Sequence, residues 1–166
     1  MSNYNDPVGV RKKRIVAAAA LATAIAVPAE GLRQWAYNDI ADPKLLTVCY
    51  GATGPEVIKG RKYSLEECQL LLTEDMLEAV AAVERCHPAL PTNVHAAFAD
   101  AVYNIGPKVA CESTASRYLD VGNYEAACKE LPRWSYAKVG GISVQLPGLV
   151  KRRQKEMELC LVGGQS

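Results

Sequence analysis

Six cysteines in 166 residues (Cys49, Cys68, Cys86, Cys111, Cys128 and Cys160) constrain this chain more than any other feature. An even number spread along a small chain fits three disulfides formed in an oxidising compartment. Metal ligation is the competing use of thiols. The sequence has no C-x-x-C and no H-x-x-x-H pair, and His87 and His95 lie far from most of the cysteines. Disulfides are therefore the favoured reading, with no metal and no cofactor expected. Composition does not choose among the possible pairings.

An oxidising compartment requires export, and the N-terminus offers a segment for it. Arg11, Lys12, Lys13 and Arg14 precede an uncharged run from Ile15 to Ala29, in which eight of 15 residues are alanine. As a helix this run reaches ~22 Å, short of the ~30 Å hydrocarbon core of a bilayer. Alanine buries little apolar area, so insertion into lipid is only weakly favourable. Three readings stand: a signal peptide cleaved after Val27-Pro28-Ala29, an uncleaved signal-anchor weak enough to leave the bilayer, and an ordinary buried helix. Cleavage after Ala29 would turn Glu30 into a fraying N-terminus beside a new ammonium. If Glu30 has a catalytic task, the uncleaved anchor is the better reading. The chain then divides into residues 1–29, a cytoplasmic tail with a signal-anchor, and residues 30–166, a catalytic domain; the whole length suits one domain plus a tail.

The net charge of +1 is uneven. Of 19 basic and 18 acidic residues, four basic ones and Asp6 precede residue 29, leaving 15 basic against 17 acidic. Such a body has no electrostatic reason to bind nucleic acid. Beyond the leader, Pro28 onward suits a short helix ending near Asn38-Asp39. Asn38 to Tyr63, rich in Gly, Asp and Pro, reads as a small sheet of two or three strands. From Ser64 the pattern turns helical, with Ser64 and Glu67 in capping-box spacing. His87 to Pro91 is a break. "TNVHAAFADAVYNIG" is a largely apolar helix with Thr92 as its expected N-cap, stopped by Gly106-Pro107. Short helices are expected over 112–120 and 123–131, then a loop "KVGGISVQLPG", then a last helix from Pro147 to about Leu161. The fold class is α+β: a small β lobe, then a helical lobe.

Glu30 would lie on the first short helix and Asp39 in the turn after it, with Thr47 in the sheet. Two carboxylates in different surroundings are what glycoside hydrolysis requires. One, kept protonated, gives its proton to the leaving oxygen; the other, ionised, stabilises an oxocarbenium-like state or activates water. A threonine hydroxyl can hold that water. Spacing alone does not separate this from three solvated polar residues.

The motifs "EGLRQWAYND" and "TVCYGATG" resemble the catalytic stretch of the phage-type lysozymes, glycoside hydrolase family 24, whose pattern is E-G-x(7)-D followed by T-x-G/C-x-G-x-T-G. "AFADAVYNIG" is similar to the central helix of that family, with Asn104 near its end. "YEAACKELPRWSYA" and "LPGLVKRRQKEMELCL" resemble its later R-W and G-L-x-x-R-R-x-x-E stretches. The resemblance runs from about Glu30 to Leu161. It implies a lysozyme-like fold and cleavage of the β-1,4 bond between N-acetylmuramic acid and N-acetylglucosamine in peptidoglycan. In that reading Glu30 is the general acid, Asp39 the second carboxylate, and Thr47 the water-holding hydroxyl. Arg152 or Arg153 would pair with Glu30 and orient it, and Tyr37 and Trp134 are candidates to stack on sugars. Asp39 and Thr47 stand eight residues apart where the family usually has six, and Ala52 replaces a common histidine. Sequential cysteine pairing, 49–68, 86–111 and 128–160, would keep each bridge within one local unit.

The resemblance extends to signal-anchor-release endolysins. These are passed to the host inner membrane by the secretion machinery, face the periplasm, and are later released into it. It implies a monomeric enzyme whose partner is the peptidoglycan glycan strand. Two other functions fit the residues: a lytic transglycosylase, which uses one acid, and a non-catalytic anchored protein that binds the wall.

Overall fold

A computed structural model of the chain describes residues 7–38 and 44–163. It has the expected α+β class, with a mostly helical body and small hairpins. Helix α1 runs Pro7–Glu30 and is followed by strands β1 (Arg33–Asn38), β2 (Leu46–Cys49) and β3 (Ala52–Thr53). Helices α2 (Leu65–Cys86), α3 (Thr92–Ile105), α4 (Lys108–Cys111), α5 (Thr114–Asp120) and α6 (Tyr124–Glu130) come next. A 3-10 turn (Leu131–Trp134), strands β4 (Tyr136–Val139) and β5 (Ile142–Gln145), and helix α7 (Pro147–Gly163) complete the chain.

The helical body forms around α3. Every residue from Val94 to Val102 is buried, and α1, α2 and α7 all pack against it. A helix apolar on nearly all sides belongs at a centre. Its N-cap position is Pro91, and Thr92, expected as the cap, is the first helical residue; no side chain caps this end. The α2 start is as expected: the Glu67 amide donates to Ser64 Oγ at 3.1 Å and the Ser64 amide donates to Glu67 Oε2 at 2.7 Å.

The leader is helical and lies on the body. Ala18, Ala22, Ile25 and Ala26 are buried at three- and four-residue spacing, which is one face of a helix. Small side chains let α1 approach α3 closely. Among the described residues, no helix is long and apolar enough to cross a membrane; α1 packs on protein, chiefly against α3 and α2. Because Ala22 is fully buried in this interface, with Ala18 and Ala26 one turn away on either side, Ala22→Leu would overpack it. That change is expected to cost about 1–3 kcal/mol, read as a lowered urea midpoint.

The segment after Pro28 differs from expectation. No short helix reaches Asn38. Instead α1 ends at Glu30, Gly31 takes φ +70, and the chain enters β1. That positive φ is open to glycine and strained for other residues. Strand β1 pairs antiparallel with β2, Tyr37 opposite Thr47 and Asn38 opposite Leu46, and β2 pairs with β3. Local propensity in "RQWAYN" is ambiguous, and pairing with β2 settles it. The second correction is the expected loop over 138–148. Its first part is a two-stranded hairpin, β4–β5, turning at Gly140 and Gly141 with φ +58 and +84. Two left-handed residues make the turn whose twist suits paired strands.

All six cysteines are in disulfides, paired Cys49–Cys68, Cys86–Cys111 and Cys128–Cys160. The pairing is sequential, as expected. They close β2 onto α2, the end of α2 onto the end of α4, and α6 onto α7.

Candidate active site

Glu30 is the last residue of α1 and borders an open groove of about 740 Å³ between the small sheet and the helical body. The sheet contributes Tyr37, Thr47 and Gly51; α2 contributes Asp75 and Arg85; α3 contributes Tyr103 and Asn104.

Position and orientation of Glu30 come from a chain of buried charges. The Arg152 guanidinium, on α7, donates from Nη1 to Glu30 Oε1. On its other side it grips Asp100 of α3 through Nε to Oδ2 and Nη2 to Oδ1, both at 2.9 Å. This two-bond fork is the strong form of an arginine–carboxylate contact. Burial alone would draw the Arg152 pKa down; the Asp100 and Glu30 contacts outweigh it, so it lies above its ordinary value. Asp100 is fully buried, while the Glu30 side chain keeps 25% of its exposure. Arg152 is thus a fixed bridge between a buried anchor and a carboxylate at the groove.

Other contacts narrow the freedom of Glu30. Gly51 has φ +94, and a Cβ there would stand 3.6 Å from Glu30 Oε2. A side chain at 51 would touch the carboxylate and strain the backbone. Tyr103 donates its hydroxyl to the Tyr50 carbonyl, tying α3 to the β2–β3 turn. Burial, then the Glu30 charge, raise the pKa of that phenol, so it stays a donor. Thr47 is buried at the groove, and its hydroxyl has no hydrogen-bond partner among the described residues. A buried hydroxyl without a partner is rare enough to need a reason. Across the groove, Asp75 has a raised pKa, first from burial and then from the charge of Glu78.

The Phage lysozyme family model matches residues 27–156. The chain belongs to the phage lysozyme family. It is 36% identical to the SAR-endolysin of Bacteriophage PS119 over 82% of this chain and 78% of that one. The muramidase domain of SpmX from Asticaccaulis excentricus superposes with a TM-score of 0.74 at 27% identity, covering 87% of this chain and 95% of that chain. An endolysin from Escherichia coli O157:H7 phage FAHEc1 gives 0.72 at 27% identity, over 90% and 91%.

In this phage lysozyme family member the candidates separate as follows. Glu30, Tyr37, Thr47 and Asn104 share the groove. Asp39 lies outside the described residues. Of the two arginines, Arg152 holds Glu30. Arg153 is fully buried and instead serves Glu156 and Asn104, the latter at 3.1 Å. Trp134 does not line the groove; it sits at a second, smaller hollow with Arg117 and Arg133. Arg33 stacks on Tyr37 with its guanidinium carbon 4.5 Å from the ring centre. Sequence reasoning missed Asp100, Tyr103 and Gly51. One signal was present for Asp100: an acid in the middle of a largely apolar helix needs a buried cation, and the R-R pair of α7 supplies it. Among the described residues, no group of three or more His, Cys, Asp or Glu side chains is placed to hold a metal.

Proposed function

We propose that this chain is a phage endolysin that hydrolyses the β-1,4 bond between N-acetylmuramic acid and N-acetylglucosamine of peptidoglycan and so lyses the host. Family membership supports a lysozyme of the glycoside hydrolase type. The observation that carries the finer reading is the Glu30 carboxylate, fixed by the Asp100–Arg152 bridge at the wall of an open groove that the buried Thr47, its hydroxyl unpartnered among the described residues, also lines. Glu30 is the general acid: it protonates the leaving glycosidic oxygen. Asp39 is the second carboxylate, and Thr47 holds the attacking water. Tyr37 and Asn104 contact the glycan.

Residues 1–29 are an uncleaved signal-anchor in this reading, and residues 30–166 the catalytic domain. The host secretion machinery delivers the chain to the inner membrane facing the periplasm, and the leader later leaves the lipid. Relatives described as SAR-endolysins support this, as does the short alanine-rich run. While the leader lies in lipid, Glu30, one residue past it, cannot reach the groove. Packed as α1, the same segment delivers Glu30 there.

Mass spectrometry of fragments released from purified walls tests the chemistry. Hydrolysis leaves a reducing muramic acid; an anhydro sugar would make the protein a lytic transglycosylase, and no fragments would leave a wall-binding protein.

A further inference from the structure

The basic flank of the leader has a partner in the folded protein. Glu84, on α2, is only 7% exposed. Its Oε1 accepts from Arg14 Nη2 at 2.7 Å and from Arg11 Nε at 3.1 Å, and its Oε2 accepts from Arg14 Nη2 at 3.0 Å. His95, on α3, is the one other ion-pairing candidate recorded for Glu84 among the described residues, with Nδ1 at 3.7 Å from Oε2. His95 cannot fill the role. Its Nε2 lies 3.0 Å from the Val80 carbonyl, which only accepts, so the ring proton is there. Burial holds the imidazole pKa below its ordinary value, outweighing the Val80 hydrogen bond and the Glu84 charge, which raise it. A neutral ring with its proton on Nε2 offers Glu84 no hydrogen. The counter-charge for this buried carboxylate therefore comes from α1.

The apolar part of the α1 interface specifies register weakly, because apart from Ile25 its buried side chains are alanine. Buried Ala18, Ala22 and Ala26 repeat every four residues, and alanines also fill 17, 19, 20 and 24. A slip of one turn, ~5.4 Å, would set alanine against much the same surface. That slip would remove Arg14 from Glu84, and a buried carboxylate without its partner is strongly disfavoured. It would also carry Glu30, sixteen residues and ~24 Å along the same helix, away from Arg152 and the groove. We infer that the Arg14–Glu84 pair, assisted by Arg11, is the register pin of α1 and hence a positioning pair for Glu30. Charges that keep the N-terminal end of the leader out of lipid serve, after docking, to set where its other end stops. The inference rests on Glu30 being the general acid.

The test uses the full chain and two readouts. Hydrogen exchange reports α1 and α3 separately, without substrate. Turnover of a soluble glycan-strand fragment gives kcat and KM. Arg14→Gln is expected to strip protection from α1 amides, retain it in α3, and lower kcat about 10- to 100-fold with KM within about twofold. Arg14→Lys is expected to keep most of both. Arg14→Gln with Glu84→Gln is expected to lose less than the product of the two single losses, because no charge is left buried alone. The pin is refuted if Arg14→Gln leaves α1 protection unchanged, if α1 and α3 lose protection together, or if the single losses multiply in the double variant. If Glu30→Gln turns over glycan normally, the functional reading fails, while the exchange results still decide whether Arg14–Glu84 docks α1.

Discussion

Exchanging Glu30 for glutamine is expected to slow wall lysis by roughly 100- to 10,000-fold, the range lost when a general acid is removed. Glutamine keeps the length of the side chain and still offers an oxygen to Arg152, but it has no proton to give. The fold should survive. Glu30 lies at a helix end with a quarter of its side chain exposed, and Arg152 retains both bonds to Asp100. Loss of one charged hydrogen bond at that place corresponds to about 1–2 kcal/mol. Turbidity of a wall suspension reads the first effect, and a urea unfolding curve the second. A variant that lyses walls at the native rate would remove Glu30 from the chemistry.

Asp100→Ala is expected to act in the opposite proportion, as a large loss of stability with a loss of activity behind it. It removes the anchor of Arg152 and leaves a guanidinium buried with Glu30 and, at 3.8 Å, Glu156. Breaking one side of a buried pair costs about 3–5 kcal/mol, or roughly 6–20 °C in melting temperature for a domain of this size. Glu156 cannot take over fully. Its nearer partner is Arg153. With Arg152 loose, Glu30 loses its fixed direction, and the fraction of protein that stays folded should turn over about 10- to 100-fold more slowly. Asp100→Asn, which keeps one acceptor, should fall between native and Ala in both respects. Equal stability of Asp100→Ala and the native protein would mean that the bridge is not under load.

The parts of this fold that could be read from the chain are those fixed by neighbours in sequence. The capping box of Ser64 and Glu67 marks the start of α2, because both partners lie within four residues. The period and apolarity of 92–105 mark a central helix. The disulfides join each cysteine to its neighbour in sequence, with partners 19 to 32 residues apart. What could not be read depends on contacts far along the chain. "RQWAYN" has no strong local preference and becomes β1 because β2 lies beside it. The hairpin at 136–145 carried a signal that was passed over: Gly140-Gly141 between β-branched residues. Within the site, Glu30 and Thr47 come from short motifs that carry a family resemblance. Asp100, 52 residues from Arg152, and Glu84, 70 residues from Arg14, become partners only through packing. Trp134, a candidate to stack on sugars, follows α6 and packs partly against the core at a second hollow.

The three disulfides have a consequence for how this protein can be assembled. Residues 49 to 160 lie within or between the cross-linked loops, whereas α1 and β1 lie outside all of them. Oxidation can therefore staple the body while the N-terminal helix is elsewhere. In the proposed release of the leader, docking of that helix would make and break no covalent bond and so would need neither a reductant nor an isomerase.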